Sequence, residues 1–224
     1  ITRYLMNAAP TAQDAENPVT KVVGVGMRPD IWDAFKVRFG VDEVYEYFGA
    51  SELNAGFFNI MNLDRTVGFC PMPWALVSFD VDSGEPARGD DGYMIKLGKG
   101  QTGLVITQVT DRFKFEGYTD KEASERKLLR DVFESGDCWV NTGDLMRHIG
   151  YGHLQFVDRV GDTFRWKSEN VATSEVEQYI NSSPQVEEST VYGVEVPNTV
   201  GRAGMAAIVM VEGQELVPDA LLAH

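Results

Sequence analysis

Residues 19–27 (VTKVVGVGM) are β-branched and studded with glycine, which predicts a buried strand ending at a backbone turn. Residues 29–39 predict a helix: Pro29 suits the first turn and Asp30 sits beside the positive N-terminus. Ile31, Phe35 and Phe39 then recur every four residues, and Gly40 supplies the stop. Residues 44–48 (VYEYF) read as a second strand, and strand–helix–strand over so short a stretch is the βαβ unit of an α/β sheet. From Val67 the pattern changes. Short apolar runs at 75–81, 92–97 and 103–109, separated by Gly, Pro and Asp clusters, predict antiparallel strands of a small barrel or sandwich. Residues 120–134 predict a helix with Thr119 or Asp120 as cap, Ala123, Leu128, Leu129, Val132 and Phe133 buried, and Gly136 past its end. Strands resume at 138–140 and in a hairpin of DLMRH and HLQFVDR. Beyond Arg159 come a short strand at 164–167, a helix through Ile180 opened by a Ser174–Glu177 capping box, and strands at 189–196 and 203–211. These place a boundary near 159–162, followed by a small α+β domain. Residues 1–7 read as the end of a helix already under way and 218–222 as the start of another, so the chain is expected to be a fragment.

Composition narrows the function classes. Of 224 residues, 43% are hydrophobic, enough to bury a core and too many for a disordered chain. Twenty Lys+Arg against 34 Asp+Glu give a net charge of −14, which argues against nucleic acid as a partner. No apolar run reaches the ~18 residues of a membrane-spanning helix. Two cysteines, Cys70 and Cys138, make no disulfide framework, and the first residues (ITRYLMNAAP) carry no signal-peptide pattern, so a cytoplasmic setting is expected.

Three clusters could carry chemistry. Phe48-Gly49-Ala50-Ser51-Glu52 follows a strand and offers an aromatic face, a close backbone approach, a hydroxyl and a carboxylate suited to Mg²⁺. Asn141-Thr142-Gly143-Asp144 presents a carboxylate on a glycine turn, fit to accept from vicinal ribose hydroxyls. Residues 157–171 place Asp158, Arg159 and Asp162 around Gly161 at the domain boundary. Taken singly, the first two are equally well plain turns and the third a solvated linker whose charges meet only water. His148 and His153 lack metal-ligand spacing, Gly24-Val25-Gly26 lacks the third glycine of a dinucleotide fingerprint, and no G-x-S-x-G elbow occurs.

In order and spacing, these clusters are more specific. GVGMRPDIWDAFKVRFG, YEYFGASELNAGFFN, FKFEGYTD, WVNTGDLM, FVDRVGDTFRWKSENVATSEVEQYI and VYGVEVPNTVGRAGMAAIV resemble segments of adenylate-forming acyl-CoA synthetases, in the very-long-chain acyl-CoA synthetase and fatty-acid transport protein branch. The resemblance implies a fold of α/β plus α+β class. Residues 1–160 would be the C-terminal part of the large adenylation domain, with 1–62 its α/β layer and 63–160 a small antiparallel β subdomain. Residues 161–224 would be part of a small mobile C-terminal domain. It also implies activation of a fatty acid with ATP and Mg²⁺, followed by transfer to CoA. By motif, Phe48 would stack on adenine in place of the family's Tyr, and Ser51 would contact the α-phosphate in place of Thr. Glu52 would ligate Mg²⁺, Asp144 would hold the ribose, and Arg159 would support ribose and phosphate. Gly161 would be the hinge, Gly49 part of the nucleotide loop, and Gly24 and Gly26 part of the segment lining the adenine and acyl sites. Glu52, Ser51 and Arg159 would then be the catalytic residues. Ser168 stands where the family commonly has Gly, in the loop facing the pantetheine arm. The family's phosphate loop and near-C-terminal Lys have no counterpart in these 224 residues, so the chain by itself is expected to show no ligase turnover. The alternatives are a non-catalytic adenylate- or acyl-binding module and a fatty-acid uptake component. Peripheral membrane association of the longer protein is left open, as is its oligomeric state.

Overall fold

A computed structural model describes residues 1–50, 53–166, 169–197 and 201–222. In chain order the elements are α1 (Thr2–Asn7), β1 (Lys21–Gly24), α2 (Trp32–Phe39), β2 (Glu43–Gly49), β3 (Gly56–Phe58), β4 (Gly68–Phe69), β5 (Trp74–Val77), β6 (Phe79–Asp80), β7 (Glu85–Pro86) and β8 (Thr102–Gln108). They continue as α3 (Lys121–Arg126), β9 (Leu128–Arg130), β10 (Cys138–Gly150), β11 (His153–Arg159), β12 (Phe164–Trp166), β13 (Glu169–Val171), α4 (Thr173–Ser182), β14 (Val186–Glu195), β15 (Arg202–Met210) and α5 (Pro218–Leu222). The chain divides into two compact units, Ile1–Ser78 with Pro86–Phe156, and Phe79–Glu85 with Val157–His224.

In the first unit, β1 and β2 pair in parallel with α2 as their crossover, as the sequence predicts. Ile31 and Phe35 are buried on α2, Trp32 and Val44 join them, and Gly40 ends the helix at φ 65°. β1 itself is not buried, because Val23 stands 79% exposed. Among the described residues the sheet continues in the order β1-β2-β3-β4-β11-β10-β8-β5, with β9 beside β10. The α/β pair and the antiparallel strands therefore form one sheet. Its core gathers Phe57, Leu76, Val105, Met146 and Leu154, with Phe48 packed against them.

Two sequence expectations fail here for physical reasons. The helix expected over 120–134 stops at Arg126. Asp120 caps it as expected, accepting from Glu122 N and Ala123 N, but Leu128–Arg130 then pair with β10. Asp137 closes the following turn by accepting from Val132 N and Phe133 N. The run 92–97 forms isolated bridges instead of a strand, since Met94 N donates to Val132 O and Ile95 N to Ala87 O, so no single neighbour carries a ladder.

In the second unit β14 and β15 form an antiparallel pair and α4 packs on β14. Gly193 and Gly204 face each other across this pair, and Phe164 lies over both. A Cβ at Gly193 would stand 2.7 Å from Phe164 Cβ, and one at Gly204 would stand 3.1 Å from Phe164 Cζ. Gly193 is therefore required for space, while a Cβ at Gly204 would press on the edge of the ring. The capping box expected at the start of α4 does not form. The helix begins two residues earlier, at Thr173 with Ala172 as its cap; Ser174 Oγ donates to Val157 O, and Glu177 Oε1 accepts from Val191 N.

Candidate functional site

The site begins where the parallel pair ends. β1 and β2 finish at Gly24 and Gly49, and the loops leaving them run from the carboxyl ends of parallel strands, where α/β sheets present ligand crevices. Gly24 lies opposite Glu46 in the parallel register. Alternation along β2 turns Val44 and Glu46 inward on one face, and both are buried, with Glu46 only 4% exposed. Glu46 Oε1 accepts from the backbone N–H groups of Gly26 and Met27, the latter at 2.9 Å. Consecutive N–H groups converge on one oxygen because Gly26 takes φ +83°, the left-handed turn of a backbone nest. A Cβ at Gly26 would meet nothing within 4 Å, so its glycine answers the backbone conformation and not a close neighbour. Burial lifts the Glu46 carboxyl above the ordinary carboxylate range, against the pull of those two N–H groups.

Phe48 is half-buried, its ring 6.0 Å from that of Phe57 and nearly edge-on to it. Gly49 pairs with Gly56, and a Cβ at Gly49 would lie 2.5 Å from Tyr47 Oη, so the Tyr47 ring crosses this glycine pair. Gly49 thus serves its own sheet as well as any ligand. Ser51 and Glu52 lie outside the described residues, as does Ser168. On the far side of position 52, Asn54 ties the loop down. Its Nδ2 donates to Gln108 O and Phe113 O, and its Oδ1 accepts from Thr107 Oγ1 at 2.6 Å.

Asp144 sits in an irregularity of β10, where the pairing with β8 shifts between Asn141 and Leu145. The turn is built locally. Thr142 Oγ1 donates to Val105 O, Asp144 N donates to Thr142 Oγ1, and Gly143 at φ +80° donates its N–H to Asn141 Oδ1. Asp144 is buried, 4% exposed, and is not the surface carboxylate that the turn suggests. Val105 and Met146 belong to the core cluster on which Phe48 packs, so Phe48 and Asp144 border the same core.

Arg159 and Gly161 belong to the second unit. Arg159 is exposed, and Gly161 takes φ +109° with open space around it. Beside them lies a cavity of about 530 Å³ lined by Gly161, Thr163, Arg165, Asp82 and Arg202, in which Arg165 pairs with Asp82 at 2.5 Å. The solvated-linker alternative fails for Asp158, which is buried at 4% exposure. It accepts from Arg159 N at 3.0 Å, Thr163 Oγ1 at 3.0 Å and Thr173 N at 2.7 Å, so it caps α4 from outside the helix. Burial lifts its carboxyl above the ordinary range too, opposed by those donors.

The structure therefore brings Gly24, Gly26, Phe48 and Gly49 together at the ends of β1 and β2. It sets Asp144 on the same core and assigns Arg159 and Gly161 to the other unit. Sequence reasoning missed Glu46. The signal was there, since its parity with Val44 on a strand with one buried face marks an inward carboxylate. Among the described residues there is no cluster of His, Cys, Asp and Glu able to hold a metal ion, and no helix long and apolar enough to cross a membrane.

No protein-family profile matches the chain. Individual proteins do. Medium/long-chain-fatty-acid–CoA ligase FadD6 of Mycobacterium tuberculosis is 51% identical over 221 residues, covering 99% of this chain and 37% of that protein. Human long-chain fatty acid transport protein 5 is 39% identical over 231 residues, covering 100% of this chain and 34% of its own length. The chain thus spans roughly a third of the curated relatives it matches. Among solved structures, ATP-bound MatB from Rhodopseudomonas palustris superposes with TM-score 0.70 at 23% identity, over 92% of this chain and 38% of that one. The anthranilate CoA ligase AuaEII in complex with anthranoyl-AMP superposes with TM-score 0.67 at 18% identity, over 99% and 40%. These likenesses establish the fold. Over its whole length the chain is similar in sequence to a fatty-acid–CoA ligase and to long-chain fatty acid transport proteins, and it shares the fold of about two fifths of MatB and of AuaEII.

Proposed function

We propose that this chain is the C-terminal portion of a fatty-acid–CoA ligase acting on long- or very-long-chain acids. The observation that carries the reading is the end-to-end likeness to the FadD6 ligase, 51% identical across 99% of the chain. In the first half-reaction a fatty-acid carboxylate oxygen attacks the α-phosphorus of ATP, and the bond to pyrophosphate breaks. In the second, the CoA sulfur attacks the acyl carbon, AMP leaves, and the thiol proton passes to solvent. Residues 1–160 are read as the end of the large domain and 161–224 as an incomplete small one.

Phe48 offers its ring to the adenine, with Gly24 and Gly26 in the segment beside it and open space around the Cβ position of Gly26. Asp144 accepts from the ribose hydroxyls once its turn opens to them, and charged acceptors make such bonds worth roughly 1.5–3 kcal/mol each. Arg159, exposed at the end of β11, reaches ribose or phosphate oxygens, and Ser51 donates to the α-phosphate. Glu52 would hold Mg²⁺, which would supply positive charge against the phosphates. Gly161, with no neighbour around its Cβ position, turns the second unit between the half-reactions. The cytoplasmic setting, with or without peripheral attachment to a membrane, belongs to the same proposal.

The test is titration calorimetry of AMP and of a non-hydrolysable palmitoyl-AMP analogue against the chain, beside a thioester assay with palmitate, ATP and CoA. The reading expects the analogue to bind more tightly than AMP, Phe48→Ala and Asp144→Ala to weaken both, and no turnover by the 224 residues alone. If neither compound binds, the reading fails.

A further inference from the structure

We propose that Glu46 is a positioning residue that locks the Gly24–Met27 turn in place and so sets the affinity of the adjoining site for its ligand. The inference rests on the function proposed above and names a residue that this function does not use. Its basis is geometric. Glu46 is 4% exposed on β2, two residues before Phe48, and its Oε1 gathers the N–H groups of both Gly26 and Met27. Its Oε2 is buried, with no hydrogen-bond partner among the described residues, and lies 3.7 Å from where a Cβ on Gly24 would stand. One carboxylate therefore spans the end of β1, from Gly24 to Met27, from the strand that also presents Phe48.

A buried carboxylate is costly to keep, and a strand position flanked by Val44 and Phe48 would be better filled by an apolar residue if packing were the only demand. What Glu46 supplies is a fixed acceptor for the N–H groups of Gly26 and Met27. Gly26 is exposed and left-handed, with more backbone freedom than any other residue type. Released from Glu46, its N–H would turn to water, and the turn would sample many conformations without unfolding the sheet. A ligand would then have to order the turn as it bound, which lowers affinity.

Three proteins decide the matter: wild type, Glu46→Gln and Glu46→Ala, each titrated with the palmitoyl-AMP analogue and each followed by amide hydrogen exchange at Gly26 and Met27. Gln keeps an oxygen acceptor in the same place, so E46Q should bind within about threefold of wild type and keep both amides protected. E46A should bind tenfold or more weakly and lose protection at Gly26 and Met27, while the amides of β2 and β3 stay protected. Equal binding by E46A and wild type overturns the proposal, as does an E46Q that falls as far as E46A. If wild type itself binds nothing, the proposed function fails, and exchange alone decides this inference: loss of protection in E46A sustains the lock, and unchanged exchange removes it.

Discussion

Replacing Asp158 by Ala is expected to cost the second unit about 2–4 kcal/mol. Thr173, 4% exposed, loses the acceptor for its N–H at 2.7 Å and for its hydroxyl at 3.2 Å. Each buried donor left without an acceptor costs roughly 1–3 kcal/mol. The Thr163 hydroxyl and the Arg159 N–H also lose their bonds, but they are less enclosed and can turn to water, so they add little. The carboxylate's own burial penalty is relieved at the same time, which keeps the total toward the lower half of the sum. A unit of this size has an expected stability of roughly 4–11 kcal/mol, so the variant should leave it marginal. The sequence holds four tryptophans, of which Trp166 alone belongs to the second unit. Fluorotryptophan labelling with ¹⁹F NMR therefore reads that unit separately during urea unfolding. In D158A the Trp166 resonance should unfold at much lower urea while those of Trp32, Trp74 and Trp139 hold their midpoints, and D158N, which keeps one oxygen, should fall between. A Trp166 transition within about 1 kcal/mol of wild type would refute the idea that Asp158 caps α4 and closes the turn around Gly161.

Three further outcomes follow from the same geometry. Burial raises the Glu46 carboxyl above its unfolded value of 4.5, so its contribution is fully present below that pH and is lost as pH rises through the folded pKa. E46Q, always neutral, should therefore gain in Tm over wild type as pH climbs from about 4 to 8, and a difference that does not change with pH would contradict this. Gly68→Ala should destabilise the first unit by about 3 kcal/mol or more, because φ is +95° and the new Cβ would fall 2.0 Å from the Phe58 carbonyl. Circular dichroism melting would show it, and a melt unchanged from wild type would rule out this packing. His153 is fully buried, with Nδ1 2.9 Å from Tyr151 O, and a carbonyl only accepts, so Nδ1 carries the proton. ¹⁵N NMR should find a proton on Nδ1, and an unprotonated Nδ1 would mean that the hairpin turn is built differently.

The sequence revealed most where one local rule acts alone. The β1–α2–β2 unit was legible because a four-residue apolar spacing and a terminal glycine agree, although the helix starts at Trp32 with Ile31 as its cap and leaves Pro29 outside the first turn where the sequence had placed it. Asp120 was legible as a cap for the same reason. The span after it was misread because Leu128, Leu129, Val132 and Phe133 suit a helix face as well as they suit a strand and turn. Pairing with Cys138, Trp139 and Val140, eight to twelve residues away, decides in favour of the strand. The buried carboxylates were hardest to see. Asp158 sits among charges that normally face water, and its partners Thr163 and Thr173 become neighbours only after folding. Gly193 and Gly204 likewise gave no sign that an aromatic ring would lie across both.

Between Asn141 and Leu145, β10 advances four residues while β8, from Ile106 to Leu104, advances two. The surplus is even, so side chains before and after it keep the same sense of in and out. Loss of any one residue from 142–144 would reverse that sense for everything up to the hairpin tip, turning Met146 toward solvent. Loss of two would let the ladder close without a seam, the scaffold intact and the stage for Asp144 gone. Scaffold and the proposed ribose contact are thus separable by a two-residue deletion and inseparable by a one-residue deletion.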